Sequence, residues 1–133
     1  MIKIPGIKTG NKKGGKMDFR DQLLQIGIDA DSTITRFGGN EALLVRFIKK
    51  FTEDPTFLQI QKAAEEKDFA GLERSAHTLK GTSANLGFNR LCSLCSDMVQ
   101  KLRAGEKDEV AGLFCQIEQE YGRIIEWIHN LDQ

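Results

Sequence analysis

The spacing of apolar residues between Asp68 and Gly87 is the feature that most constrains the fold. Apolar or small residues recur there at alternating steps of three and four, at Phe69, Leu72, Ala76, Leu79, Ser83 and Leu86. This spacing places them on one face of an α-helix. Asp68 can cap the start of the helix through its carboxylate, and Gly87 can end it in a left-handed conformation. The segment is therefore predicted to be a single long helix.

Three shorter helices are predicted before this segment. The first covers Asp18 to Ile26, the second follows a cap at Asn40, and the third begins near Pro55, which suits a first helical turn because its missing N–H costs nothing there. The apolar stripe of the second is predicted to contain Leu43, Leu44, Phe47, Ile48 and Phe51. The stripe of the third is predicted to contain Phe57, Leu58, Ile60 and Ala64.

Two further helices are predicted after Gly87, one from about Phe88 to Ala104 and one from near Asp108 to the end of the chain. No segment alternates apolar and polar residues for long enough to indicate a strand. Helices of this length with short connections favour an all-α protein. The predicted architecture is an antiparallel four-helix bundle with one or two extra short N-terminal helices.

Charge divides the chain near residue 17. Residues 1–16 contain five lysines, four glycines and no acid, and are expected to form a flexible Lys/Gly-rich leader. With these lysines set aside, 14 of the 19 basic residues remain against 19 acidic ones, a net charge of about minus five. This acidic balance argues against nucleic acid as the main partner. Residues 17–133 are expected to form one domain.

The composition also bears on location. No apolar run approaches the roughly eighteen residues of a membrane helix, and the N-terminus lacks the apolar segment of a secretory signal. We therefore expect a cytoplasmic protein without membrane contact. Its three cysteines cannot all pair within one chain, so no disulfide framework is implied.

His77 is the residue at which the pattern points to chemistry. It lies about 130° from the centre of the apolar stripe of its helix, so its imidazole should face solvent. Ala70, Gly81 and Ala84 share that face and leave it without bulk. Lys80, three residues later, can bring its ammonium group to an anion held on the ring. Spacing alone is equally consistent with an ordinary surface histidine.

The run Ala76–Gly87, with the sequence AHTLKGTSANLG, resembles the motif of histidine-containing phosphotransfer (HPt) domains. The match covers the histidine, the lysine and both glycines at the family's spacing. The upstream run from Gly27 to Asn40 is similar to the entry to the bundle in bacterial members. The resemblance thus extends from about residue 27 to the end of the chain.

This resemblance implies that His77 accepts a phosphoryl group from a receiver-domain aspartate and passes it to another response-regulator receiver. Lys80 would stabilise the group, and Gly81, Ala84, Ala70 and Arg74 would belong to the partner-docking surface. The implied partners are receiver domains and a hybrid sensor histidine kinase. Because the sequence contains no glycine-rich nucleotide loop, we expect that the domain does not phosphorylate itself from ATP and is a phosphocarrier, not an enzyme. We also expect a monomer with no cofactor, no metal and no nucleic acid.

A metal-binding bundle is the rival from another class. Cys92 and Cys95 form a CxxC pair, and Glu126 and His129 have the Glu-x-x-His spacing of di-iron helices. Both patterns are incomplete, because structural zinc takes four ligands and a di-iron site takes two such motifs with two more glutamates. Cys95 and Cys115 are instead expected near apolar stripes as small core residues.

Two rival hypotheses retain the same fold. One is a docking bundle that has lost phosphotransfer. The second is the phosphotransfer segment of a chemotaxis-type kinase. The sequence resembles such a segment in part, at Gly87-Phe88 followed by Leu91. Because kinase and adaptor domains are absent from the sequence, we expect a free-standing carrier.

Overall fold

A computed structural model describes residues 18–131 of the chain, and the predicted leader at residues 1–16 lies outside them. The described part is all-α, as predicted. Its α-helices are α1 Phe19–Ile26, α2 Ala30–Arg36, α3 Glu41–Lys50, α4 Thr56–Glu66, α5 Phe69–Leu86, α6 Asn89–Arg103 and α7 Val110–His129. Short 3₁₀ turns at Phe51–Glu53 and Lys107–Glu109 precede α4 and α7. No helix within residues 18–131 is long and apolar enough to span a membrane.

Helices α4 to α7 form the predicted antiparallel bundle, because each short connection reverses the chain. The short helices α1 to α3 pack near the end at which α5 finishes. The ring of Phe51, just after α3, lies 5.2 Å from the ring of Phe88 and 5.6 Å from that of Tyr121. The guanidinium of Arg123 on α7 donates to the carbonyl of Ile26 at the end of α1 (3.2 Å).

Helix α5 is defined at its start by Asp68. The Asp68 Oδ1 atom accepts a hydrogen bond from the backbone N–H of Gly71 at 2.9 Å, which satisfies one of the donors that a helix start leaves unpaired. Leu72, Ala76, Leu79, Ser83 and Leu86 are all buried, so the predicted apolar face is confirmed.

The end of α5 is held by two separate devices. Gly87 has a φ of 87°, and the N–H of Phe88 donates back to the carbonyl of Ser83 at 2.9 Å. The guanidinium of Arg36, at the end of α2, donates to the carbonyls of Asn85 (2.8 Å) and Ala84 (3.3 Å). A cation at this position is also stabilised by the negative end of the helix dipole. Helix α5 is therefore anchored to α2 as well as to the bundle.

Two residues predicted in the core are exposed. Phe47 is 44% exposed because it lies at the edge of the α3 stripe, where the ring of Phe37 meets it edge-on at a centroid distance of 5.4 Å. Leu58 is 66% exposed because it lines an open groove of about 810 Å³ between α4 and α7. Both predictions were wrong for the same reason. The spacing of apolar residues places a residue on one face of its helix, but it does not show how much of that face a neighbouring helix buries.

The apolar pattern does not single out α2. Its seven residues bury only Ala30, Thr33 and Ile34, too few for a recognisable period. What fixes the helix is local, because the side chain of Asp29 accepts a hydrogen bond from the N–H of Ser32 and so caps the start.

Gly87 provides a test of how α5 is anchored. A Cβ at Gly87 would lie 2.7 Å from the Thr33 Oγ1 atom and 2.9 Å from the Ile28 Cγ2 atom. Gly87→Ala should therefore lower the free energy of unfolding by more than the roughly 1–2 kcal/mol of left-handed strain alone. Gly105→Ala is the matched control, since Gly105 has a φ of 75° and open space around it. Chemical denaturation of both variants measures the difference, and equal losses would contradict the close contact with α2.

Candidate functional site

The residues predicted to form the site all lie on α5. We call Ala70, Arg74, His77, Gly81 and Ala84 the histidine face; all five are exposed. The expectation that His77 faces solvent is therefore confirmed. Lys80 is half-buried and lies between this face and the buried stripe.

Side chains on an α-helix lean towards its N-terminus, so each covers the turn before its own Cα. Lys80 therefore leans back towards His77, and the His77 ring leans over the turn that contains Arg74. Any side chain at position 81 would lean over His77 in the same way. The absence of side-chain atoms at Gly81 leaves the imidazole open from the C-terminal side.

Nothing in the fold requires a glycine at position 81. A Cβ built on Gly81 meets no atom within 4 Å apart from its own helix backbone. The same is true of Gly112 and Gly122 within α7, so an open glycine in a helix does not by itself mark a site. The significance of Gly81 comes from its position one turn after His77.

Ion pairing leaves the histidine face positively charged. The acidic and strongly basic side chains of α5 are Glu73, Arg74 and Lys80. Glu73 is paired with Arg103 of α6, whose Nε atom lies 2.7 Å from a Glu73 carboxylate oxygen. Neither Arg74 nor Lys80 forms an ion pair with any residue from 18 to 131. Residues 17–133, which are net acidic, thus present two available cations beside the exposed histidine.

A polar cleft of about 450 Å³ between α4 and α5 borders the histidine face. Lys62 and Glu66 line it from α4, and Arg74, Ser75 and Thr78 line it from α5. The Thr78 hydroxyl donates to the carbonyl of Arg74 at 3.1 Å, so it is directed to its own helix. Sequence reasoning missed this cleft, because it depends on how α4 packs against α5 and no single-helix pattern reveals that.

The three cysteines differ in burial. Cys95 is buried as predicted, and burial, with a smaller contribution from Cys92, raises the pKa of its thiol to about 12. A thiol with that pKa is protonated near neutral pH and is a poor metal ligand in that form. Cys115 is exposed on the groove between α4 and α7, so its predicted place in the core was wrong.

The Glu-x-x-His pair on α7 has no partner motif. Glu126 and His129 are both exposed. Within the described part of the chain, no group of three or more His, Cys, Asp or Glu residues is arranged to hold a metal ion. The absence of a metal from the working protein stays a prediction.

Chemically, the histidine face offers an accessible imidazole flanked by two cations. Neutral imidazole is a competent nucleophile near pH 7, and an anionic product on its ring would meet Lys80 and Arg74. Because His77 is exposed on the helix surface, the reacting group has to be presented by a second molecule. This arrangement suits transfer of an anionic group between proteins.

Comparison with known families agrees with this geometry. The Hpt domain model matches residues 43–127, which include all of α4, α5 and α6 and most of α7. No curated protein and no solved structure matches the chain. Since the matched residues make up more than half of the sequence, the chain belongs to the Hpt domain family, the histidine phosphotransfer carriers of two-component systems.

Proposed function

We propose that this chain carries a phosphoryl group on His77. It accepts the group from the aspartyl phosphate of one receiver domain and passes it to the aspartate of a response-regulator receiver. The observation that supports this most is the exposure of His77 beside the small residues Ala70, Gly81 and Ala84, in a member of a phosphocarrier family. We propose residues 17–133 as the working domain, acting as a monomer in the cytoplasm.

The forward step exchanges one bond for another. The unprotonated ring nitrogen of His77 attacks phosphorus, and the bond between phosphorus and the aspartate oxygen breaks. The bonding electrons remain on the aspartate, which leaves as a carboxylate. The proton on the other ring nitrogen can then be lost to water. Onward transfer reverses these events with a second aspartate, so the carrier needs neither a metal nor a nucleotide of its own.

The local stabilisation suits a carrier rather than a permanent acceptor. The start of α5 is too far away to assist, since Asp68 precedes His77 by nine residues, or roughly 13 Å along the axis. Lys80 is then the nearest source of positive charge on the C-terminal side. An ion pair at an exposed site contributes at most about 1 kcal/mol. The phosphoryl group is held without being trapped.

The docking surface that we propose extends from α5 onto α6. These two helices pack side by side, and the Glu73–Arg103 ion pair lies at one end of the interface between them. Along the same side of α6, Ser93 and Gln100 are exposed and Ser96 is half-buried. These uncharged side chains let a second protein approach, while Arg74 and Lys80 attract an acidic one. A receiver's phosphorylated aspartate meets that requirement, and we propose receiver domains and a hybrid sensor kinase as the partners.

The first prediction from this proposal concerns the acceptor. Incubation with a phosphorylated receiver should place an acid-labile phosphoryl group on His77 only, because it alone combines an open face with a flanking lysine. Mass spectrometry under neutral conditions locates the adduct. His77→Gln should abolish labelling, and His129→Gln should leave it unchanged. An adduct on His129 would overturn the assignment, and no adduct on either residue would favour a docking-only bundle.

The second prediction concerns Lys80. Lys80→Ala should slow phosphoryl transfer or shorten the lifetime of the adduct by about fivefold, the equivalent of losing one exposed charge interaction. The bundle should stay folded because the Lys80 side chain is only half-buried. Single-turnover transfer assays and thermal melts measure the two effects. A wild-type lifetime together with a wild-type transfer rate would exclude Lys80 from the site.

The third prediction separates the two explanations for Gly81. Gly81→Gln should leave stability unchanged or raise it by up to about 1 kcal/mol, since glycine is a poor helix former and open space surrounds it. Transfer should nevertheless fall by up to about a hundredfold, because the new side chain would lean over His77 and misplace the reacting groups.

Gly122→Gln is the matched control for this prediction. It makes the same chemical change at an equally open position within α7, away from the histidine face. We expect it to match Gly81→Gln in thermal stability and the wild type in transfer rate. If Gly81→Gln also transfers at the wild-type rate, Gly81 has no part in docking.

A further inference from the structure

We propose that Arg74 is a second phosphoryl-binding residue, which contacts the group on His77 from the N-terminal side while Lys80 contacts it from the C-terminal side. This inference rests on the proposed function of His77 and deepens it. In the proposed function, Arg74 belongs to the docking surface and attracts the partner protein. In the further role inferred now, Arg74 also binds the transferred phosphoryl group itself.

The geometry of α5 brings the two side chains together. Arg74 and His77 are three residues apart, so their Cβ atoms are neighbours on the helix surface, about 5–6 Å apart. Since the His77 ring leans towards the N-terminus, a group bonded to it comes to lie above the turn of Arg74. Ala70, one further turn back, is exposed and has only a methyl side chain, so it leaves space there. The phosphoryl oxygens therefore come within reach of the guanidinium.

The acids that could compete for Arg74 are already engaged. Glu73 is paired with Arg103 of α6 at 2.7 Å. In the α4–α5 cleft, Glu66 lies 3.8 Å from the ammonium of Lys62, and Asp68 accepts the N–H of Gly71. Arg74 is exposed and forms no ion pair within residues 18–131. Its guanidinium is thus available to an incoming anion.

The chemistry of the two cations differs in a useful way. A guanidinium is planar and can donate two parallel hydrogen bonds to two phosphoryl oxygens, whereas an ammonium acts as a point charge. The guanidinium also keeps its proton throughout the physiological pH range. Arg74 would therefore orient the phosphoryl group, and Lys80 would mainly offset its charge. An arginine-to-lysine change at position 74 should preserve the charge but lose the paired hydrogen bonds.

The test uses a donor too small to dock. Phosphoramidate transfers its phosphoryl group to histidine with loss of ammonia, and it has no surface that could bind the histidine face. The rate at which it labels His77 is compared in the full chain for the wild type, Arg74→Gln and Arg74→Lys. Arg46→Gln is the control, because Arg46 is an exposed arginine of α3 with no ion pair in the described residues. Phosphorus NMR of each product then gives the pKa of the phosphoryl group.

We expect Arg74→Gln to slow labelling by about threefold to fivefold, the value of one exposed charge interaction, and to raise the phosphoryl pKa. Arg74→Lys should fall between it and the wild type, and Arg46→Gln should match the wild type. If Arg74→Gln matches the wild type with phosphoramidate but is slow with a phosphorylated receiver, Arg74 serves docking alone and this inference is wrong. If neither donor labels wild-type His77, the proposed function fails as well.

Discussion

The anchoring of α5 is the constraint on which the rest of the structure depends. The Asp68 carboxylate holds its start, while Gly87 and the guanidinium of Arg36 hold its end. Its buried face packs against α4 and α6. A helix fixed on one face and at both ends needs no contacts on its remaining side. That is why the histidine face can lie open to solvent without loss of order.

An exposed face on a helix anchored at both ends suits the chemistry of a relay. Phosphoryl transfer depends on accurate placement of the nucleophile and on charge near the moving group, and little covalent work is left to the protein. In the function that we propose, His77 obtains its placement from the backbone of α5, the neighbouring cations supply the charge, and the partner completes the site. The same open surface would then be able to meet different receivers in turn, which a closed pocket would prevent.

The sequence predicted what depends on one helix alone. The limits of α5, its buried stripe and the exposure of His77 all follow from the spacing between Asp68 and Gly87. Features set by neighbouring helices could not be predicted in this way. Leu58 was wrongly placed in the core because α4 and α7 leave a groove between them. The bonds from Arg36 to α5 and from Arg103 to Glu73 join residues 49 and 30 positions apart, and no local pattern signals them.

The claim that the open side of α5 is where the partner binds can be tested by NMR. The nitrogen-15-labelled chain would be titrated with a receiver domain held in its active form by beryllofluoride, which mimics an aspartyl phosphate. We expect the largest amide shifts on α5 from residue 70 to residue 85 and on the adjoining side of α6. Shifts that cluster instead around the groove between α4 and α7, with α5 unaffected, would contradict the claim.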